Sequence, residues 1–421
     1  MAKSCIAGIN AHGCEVVYCG ELQTPALIFY AMGNDMPCIM IIGSHIPFSR
    51  NGMKFYNTDG EISKLDEINI LNAEVQPPEN LDESVKNIQI PAINPAALEA
   101  YRQRYIELFP VEMLKGKRIG IYEHSSVARD VLIDLMSYFG ADVLSLERTD
   151  YFVPIDTEAV SAIEKEKAKG WAKKYQLDAI ISTDGDRPLI SDENGQWLRG
   201  DVLGVLCVNY LGATHVAALI NVNSMLEASS KRELICTRTR IGSLYVIAAM
   251  QDLAKEPLAS NHEPSEPKKE SLVSKQKLSA SNSEAEAIKI VGYEANGGFM
   301  VGSDIELNVK TLHSLPIRDA VLPILIVLSL AHQNSVPVSQ LLKALPGRFT
   351  ASACIKNFEL NLRDKITKSL EFDRIKQDEF LFEIYADKVA KIISIIKTDG
   401  LRMFISNNDT IHIRPSGNAS S

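Results

Sequence analysis

Between residues 117 and 200 the chain alternates between two periodicities, and this constrains its fold more than any other feature. Arg118–Tyr122 is a short apolar run of strand length. Ser125–Gly140 spaces Val127, Val131, Leu132, Leu135 and Met136 at helical intervals and ends on a glycine. Ala141–Leu146 returns to strand character, Thr157–Gln176 reads as a polar amphipathic helix, and Asp178–Ser182 as a third strand. A β-α-β-α-β succession predicts a mostly parallel sheet with right-handed crossovers, since parallel strands need a long connection and a helix supplies it. The same logic continues downstream. Val202–Leu211 reads as helix, Val216–Val222 and Glu233–Arg238 as strands, Gly242–Ala254 as helix, Ala287–Tyr293 as strand and Pro316–Ala331 as a long apolar helix. Upstream, Glu15–Cys19 and Pro37–Ile42 read as strands, the second breaking at Gly43 into a polar loop from Ser44 to Asn57. Beyond Leu345 the character changes: Asp364–Leu370 and Tyr385–Lys397 read as helices, Arg402–Ile405 and Thr410–Ile413 as strands, an α+β pattern.

A chain of 421 residues is too long for one core and suits two to four domains. Lys255–Glu286 interrupts the third α/β stretch with three prolines and, between Ser260 and Ser283, seven serines, and it reads as a mobile surface insertion. Lys plus Arg number 44 and Asp plus Glu 53, so the net charge is 44 − 53 = −9. A chain of that sign has no global field for nucleic acid or an anionic membrane, and any anionic ligand must be held by a local cluster of cations and backbone N–H groups. The seven cysteines are scattered, with no C-x-x-C, which predicts reduced thiols in a cytoplasmic protein. The longest apolar stretch, near Pro323–Ala331, falls far short of the roughly 18–20 residues that span a bilayer, and Met-Ala-Lys-Ser-Cys lacks a signal-peptide apolar region.

Four loops carry residue types suited to chemistry. Gly43-Ser44-His45-Ile46-Pro47 followed by Arg50-Asn51-Gly52-Met53-Lys54 can present a serine nucleophile or phosphate carrier beside His and Lys, or be a plain Asn-Gly and Pro turn. Asp184-Gly185-Asp186-Arg187 can converge two carboxylates on one hard cation such as Mg²⁺, or be a polar turn. The next turn, Asp192-Glu193-Asn194-Gly195, reads as structural. Glu294 and Asn296, in the Gly-rich stretch Gly292–Gly298, suit vicinal sugar hydroxyls, although such a turn need bind nothing. In Arg414-Pro415-Ser416-Gly417-Asn418, Arg offers a planar fork and Ser, Gly and Asn offer donors around an anion.

Taken together, the order and spacing of these loops resemble the α-D-phosphohexomutase family, in its phosphomannomutase/phosphoglucomutase branch. Gly43–Pro47 and Asn51–Lys54 are similar to its serine loop, Asp184–Arg187 to a shortened metal loop, Tyr293–Gly297 to its sugar loop with Asn296 at a serine place, and Arg414–Asn418 to its phosphate loop. The resemblance implies three related α/β domains with mixed sheets plus a smaller α+β C-terminal domain around a central cleft. It would divide the chain into 1–112 (serine loop), 113–201 (metal loop), 202–343 (sugar loop, with insertion 255–286) and 344–421 (phosphate loop), with a hinge near Pro346-Gly347.

It also implies interconversion of a hexose 6-phosphate and hexose 1-phosphate, mannose favoured, through a phosphoserine at Ser44 and a hexose 1,6-bisphosphate that turns around in the cleft. Ser44, Asp184 and Asp186 would hold Mg²⁺. His45 and Lys54 would handle protons and charge, and Arg187 would contact the transferring phosphate. Glu294 and Asn296 would hold sugar hydroxyls, and Arg414, Ser416, Gly417 and Asn418 the non-reacting phosphate. The partner is thus a hexose phosphate, with no nucleic acid and no membrane. Nothing in the pattern specifies an oligomeric state or a choice of mannose over glucose.

The sequence departs from the family pattern at several places. The metal loop is two residues shorter and supplies two Asp rather than three, which predicts weakened Mg²⁺ affinity unless Asp192 or water substitutes. Gly298 stands near where many relatives carry His. The region before Ser44 is too short for the family's first strand and Arg loop, and the chain stops seven residues after Arg414. The alternative these departures raise is a catalytically impaired sugar-phosphate-binding homologue. A metal-dependent phosphatase fits less well, because the Asp loop lacks an Asp-x-Asp-x-Thr arrangement.

Overall fold

The computed structural model describes residues 1–43, 52–75, 85–229, 234–255, 287–307, 309–353, 355, 358–385 and 390–414. Their strands form five sheets. The first is antiparallel, built from Cys38–Ile42, Gly52–Asn57 and Gly60–Glu61, with Ile42 opposite Gly52 and Met40 opposite Lys54. The second runs in the order Asp142–Arg148, Arg118–His124, Ala179–Thr183, Pro188–Ile190. Its first three strands are parallel, as the β-α-β-α-β succession predicts, and the last joins antiparallel. Only residues 184–187 join Ala179–Thr183 to Pro188–Ile190, too few for a crossover, so the chain must turn back as a hairpin.

The third sheet runs Leu315–Asp319, Phe299–Val301, Ile290–Tyr293, His215–Leu219, Ile235–Thr239. Its last three strands are parallel and the first two join antiparallel. A small hairpin, Ile305–Leu307 with Lys310–Leu312, extends from it in sequence. The C-terminal sheet is an antiparallel meander of Ile392–Ile396, Leu401–Ile405 and Thr410–Ile413, preceded by the helices Leu360–Phe372 and Arg374–Tyr385. The result is the mixed α/β fold with an α+β C-terminal part that the sequence implies.

One continuous core runs through the second and third sheets, including Ile119, Leu132, Phe139, Ile181, Val216, Val291, Phe299 and Leu325. The helix Val321–Gln333 is apolar over most of its surface because it is buried on nearly every side. The helix Gly200–Leu211 lies so close to the third sheet that a Cβ on Gly204 would fall 2.2 Å from the Tyr293 ring. No helix among the described residues is long and apolar enough to cross a membrane.

Four expectations need correction, and two helices near the N-terminus were not anticipated. The polar loop expected to run to Asn57 ends in a strand, Gly52–Asn57. Residues Ala2–Ala11 and Thr24–Gly33 are helices, the second opened by Pro25 in its first turn. Glu15–Cys19 is irregular chain; Tyr18 O accepts from Asn94 N at 2.8 Å rather than from a sheet partner. Pro316–Ala331 is two elements. Leu315, Ile317 and Asp319 are buried while Pro316 and Arg318 are partly exposed, a period of two that makes Leu315–Asp319 a strand, and the helix starts only at Val321. Tyr385–Lys397 is likewise split: the helix ends at Tyr385, and Ile392–Ile396 is a strand, as its four β-branched residues favour.

Asp319 ties three elements together. Its carboxylate accepts from Tyr101 Oη at 2.7 Å and from Tyr105 Oη, both on the helix Ala96–Leu108, and from Val321 N at 2.9 Å, which caps the next helix. Both tyrosines are fully buried. Asp319→Ala would strand two buried hydroxyls and remove a helix cap, and is expected to destabilise the fold by about 3–5 kcal/mol in denaturant unfolding. Tyr101→Phe, which leaves one acceptor still paired, is expected to cost only about 1 kcal/mol.

Candidate active site

The second sheet places the acidic loop. Ala179–Thr183 is wholly buried and delivers the chain to Asp184 at its C-terminal end, where sites of α/β sheets form. Gly185 takes φ +124°, which a side chain would strain, and its N–H donates to Thr183 Oγ1 at 2.9 Å. This tight turn lets Asp184 Oδ1 accept from Arg187 N at 3.1 Å while Oδ2 meets the Arg187 guanidinium at 2.6 Å. Burial drives the Asp184 carboxyl above the usual carboxylate range, to about 6, against the opposing pull of Arg187. Asp186 Oδ1 lies 3.4 Å from Arg187 Nε and its Oδ2 2.7 Å from Arg318 Nη2.

Arg318 extends this cluster to the third sheet, its Nη1 lying 3.5 Å from Glu294 Oε2. Glu294 follows the strand Ile290–Tyr293 and is buried. Its Oε2 accepts from Asn296 Nδ2 at 2.8 Å, whose Oδ1 accepts from Gly298 N at 2.9 Å. Among the described residues Glu294 Oε1 has no hydrogen-bond partner although it is buried, which leaves it able to accept from a ligand hydroxyl. Asn296 mainly shapes the loop around it.

The first sheet adds the cation. Lys54 stands on Gly52–Asn57, the strand that follows the serine loop, and lines one small cavity with Tyr56, Glu61, Asp186, Ser243 and Arg318. Burial lowers its ammonium, with Arg318 adding to the effect and Asp186 opposing it. Ser243 Oγ donates to Glu61 Oε2 at 3.1 Å, so the helix Ser243–Leu253 also reaches this cavity. Strand-end segments far apart in sequence thus meet at one place. Ser44 and His45 lie outside the described residues, as do Ser416, Gly417 and Asn418.

Arg414 is placed at the last described residue by Asp399, whose Oδ2 lies 3.3 Å from Arg414 Nη1 and accepts from Ile241 N at 2.8 Å. Gly400, at φ +78°, makes this possible: a Cβ there would fall 2.6 Å from Arg414 Cβ. Arg414 therefore stands next to the loop that leads into Ser243. Burial raises the Glu158 carboxyl, and Arg199 and Arg414 both pull against it, so these two arginines share one neighbourhood.

Asp192 does not substitute at the acidic loop. Its Oδ1 accepts from Asn194 N and Gln196 N, both at 2.9 Å, closing the turn at the opposite end of the hairpin from Asp184. Glu193 beside it accepts from Ser339 Oγ at 2.5 Å, so that turn is structural, as its sequence suggests. Among the described residues no group of three or more His, Cys, Asp or Glu could hold a metal ion. Two carboxylates still fit Mg²⁺, which takes one or two carboxylates, adds phosphate oxygens and keeps waters. Sequence reasoning missed Arg318, Glu61, Ser243 and Arg199. For Arg318 a signal existed: the alternation Leu315-Pro316-Ile317-Arg318-Asp319 marks a strand with a lone cation on it.

His124 ends the neighbouring strand at φ +34°, buried, with Nε2 3.2 Å from Thr183 O and its ring 5.2 Å from Tyr122. Burial lowers its imidazole from 6.5 to about 4. A depressed histidine is neutral in the fold, so the unfolded chain binds more protons between those values, and stability is full above about 6.5 and falls as pH drops toward 4. The loss between pH 7 and pH 5 is expected to be about 2 kcal/mol, read from urea unfolding at the two pH values. His124→Asn, which tolerates positive φ, should flatten that dependence.

A multi-sheet α/β fold with charged strand ends gathered in one cleft is the architecture of phosphohexomutases. A solved phosphoglucomutase/phosphomannomutase family protein from Burkholderia thailandensis matches it with a TM-score of 0.61 at 15% identity, covering 94% of this chain and 75% of that one. A crystal structure of a phosphomannomutase homologue from Thermus thermophilus matches at 0.56 and 12% identity, covering 94% and 76%. Residues 1–80 match the family model for phosphoglucomutase/phosphomannomutase, alpha/beta/alpha domain I. The phosphomannomutase of Salmonella muenchen is 43% identical over the whole chain and 79% of its own length; that of Sinorhizobium fredii is 36% identical over the whole chain and 81% of its own. The chain belongs to the phosphoglucomutase/phosphomannomutase family.

Proposed function

We propose that the protein interconverts hexose 6-phosphate and hexose 1-phosphate, mannose favoured, through a phosphoserine at Ser44 and a hexose 1,6-bisphosphate. The single observation that carries this reading is the meeting of Lys54, Asp186 and Glu294 around Arg318: the strand after the serine loop and the acidic loop line one small cavity with Arg318, and Arg318 ties the sugar loop to that cavity through Glu294. The free hydroxyl oxygen of the sugar phosphate attacks phosphorus, the bond from phosphorus to Ser44 Oγ breaks, and the hydroxyl proton passes to a base. Lys54, lowered by burial, and His45 serve this proton and the charge on the transferring group. Asp184 and Asp186 would hold Mg²⁺, which when bound neutralises charge on the phosphoryl oxygens.

Glu294 accepts sugar hydroxyls through its unpartnered Oε1, and Asn296 fixes that carboxylate. Arg187 contacts the transferring phosphate. Arg414, with Ser416, Gly417 and Asn418, clamps the other phosphate and supplies the positional binding that converts to rate. The bisphosphate must present each end in turn, which explains why one chain needs loops from several sheets. The parts 1–112, 113–201, 202–343 and 344–421 would act as its domains, and the scattered thiols support a cytoplasmic setting.

The test is a coupled assay with mannose 1-phosphate and glucose 1-phosphate, Mg²⁺ and a bisphosphate activator, beside intact-mass measurement. Turnover together with one added phosphate supports the reading. Phosphate on the protein without turnover points to an impaired sugar-phosphate-binding homologue, and release of orthophosphate without isomer points to a phosphatase.

A further inference from the structure

We infer that Arg318 is a positioning residue that locks the acidic loop and the sugar loop into one register. This rests on the phosphohexomutase reading of the site. Arg318 lies next to Asp319, whose two tyrosine partners and helix cap fix the end of the strand Leu315–Asp319. Its guanidinium spans two loops from different sheets, reaching Asp186 at 2.7 Å and Glu294 at 3.5 Å. The four carboxylates Asp186, Glu294, Glu61 and Asp184 overcome its burial and hold it firmly protonated. Its side chain is only 17% exposed, so the charge is confined between these groups.

Gly298 is the second half of the device. A Cβ at that position would fall 2.6 Å from Arg318 Cδ and 2.8 Å from Cγ. The sugar loop therefore closes over the arginine stem only because residue 298 has no side chain. An acidic loop with two aspartates is the one most in need of a fixed geometry, and a planar fork that meets two carboxylates supplies it more rigidly than an ammonium could. The same cation moderates the negative potential at Asp186 and so tunes the affinity for Mg²⁺.

The test uses full-length Arg318→Met, Arg318→Lys and Gly298→Ala, each checked by thermal melting. Binding of Mg²⁺ alone is measured by calorimetry, and KM and kcat with hexose 1-phosphate. Arg318→Met should bind Mg²⁺ roughly three- to tenfold more tightly, since a neighbouring positive charge is gone, yet lose roughly tenfold or more in kcat/KM. Arg318→Lys should hold Mg²⁺ affinity within about twofold of the parent while KM stays raised. Gly298→Ala, which displaces the guanidinium without removing it, should raise KM without tightening Mg²⁺, and it carries the test if Arg318→Met fails to fold. A merely structural arginine would lower melting temperature while leaving Mg²⁺ affinity and KM unmoved, and that result overturns the inference. Full recovery of KM by Arg318→Lys overturns it too. If the unsubstituted protein turns over no hexose phosphate, the proposed activity fails, while the Mg²⁺ titrations still decide the role of Arg318.

Discussion

Ser44→Ala is expected to reduce kcat/KM for hexose 1-phosphate by at least roughly 10⁴-fold, about 5 kcal/mol of barrier. The alanine protein should also lose the single phosphate from its intact mass. The reason is chemical economy. A bisphosphate intermediate needs a group on the protein that gives up a phosphoryl and takes it back, and position 44 offers the hydroxyl at the start of a loop whose return strand carries Lys54. The anchor of that loop is described: Ile42 pairs with Gly52, and Lys54 stands two residues further along, facing the cavity shared with Asp186. In the proposed mechanism, removing the hydroxyl removes the covalent step itself, so the remaining loops would bind substrate but not exchange its phosphate. Near-normal binding of mannose 1-phosphate with no turnover is the expected pair of results.

Asp184→Ala should be nearly as damaging, lowering kcat roughly 10²–10⁴-fold, about 3–5 kcal/mol, with a higher Mg²⁺ concentration needed for half-activation. Two losses combine. One of the two carboxylates of the acidic loop disappears, and Arg187 loses both its 2.6 Å ion pair and the oxygen that caps its backbone N–H. The Arg187 guanidinium, left with Asp186 at 3.4 Å, would then draw closer to it and compete for the remaining carboxylate. The check is an Mg²⁺ activation curve for the alanine protein beside the parent. An unchanged curve would mean that Asp184 serves the turn rather than the metal, the bland alternative for an Asp-Gly-Asp loop.

The fold was legible in the sequence wherever periodicity was clean. Arg118–Tyr122 and Asp178–Ser182 gave strands whose ends fall within two residues of Arg118–His124 and Ala179–Thr183, because buried apolar runs bounded by turn residues leave few options. It misled where two elements abut without a glycine. Pro316–Ala331 merged a strand and a helix because both are apolar, and only the burial of alternate residues separates them. The helix Thr24–Gly33 was invisible for a related reason: its apolar residues surround the helix rather than forming a stripe, while the ten-residue helix Ala2–Ala11 buries only Ile6 and Ala7.

The site was legible as loops and illegible as a network. Asp184, Asp186, Arg187, Glu294 and Lys54 were named from local chemistry, and all five stand around one cavity or its charged rim. Arg318, which joins them, lies 132 residues from Asp186 and 24 from Glu294 in the chain. The alternation around Arg318 marks a strand that carries a cation, but nothing local says which carboxylates it reaches or that the glycine at 298 makes room for it.

A single-turnover experiment reaches the central claim most directly. The protein is labelled with phosphate at Ser44, freed of activator, mixed with mannose 1-phosphate and Mg²⁺, and quenched within seconds. The label should leave residue 44 and appear first in hexose 1,6-bisphosphate, then partition back to protein and monophosphate. Label that stays on the protein, or that appears only as orthophosphate, would contradict transfer from Ser44 to the sugar.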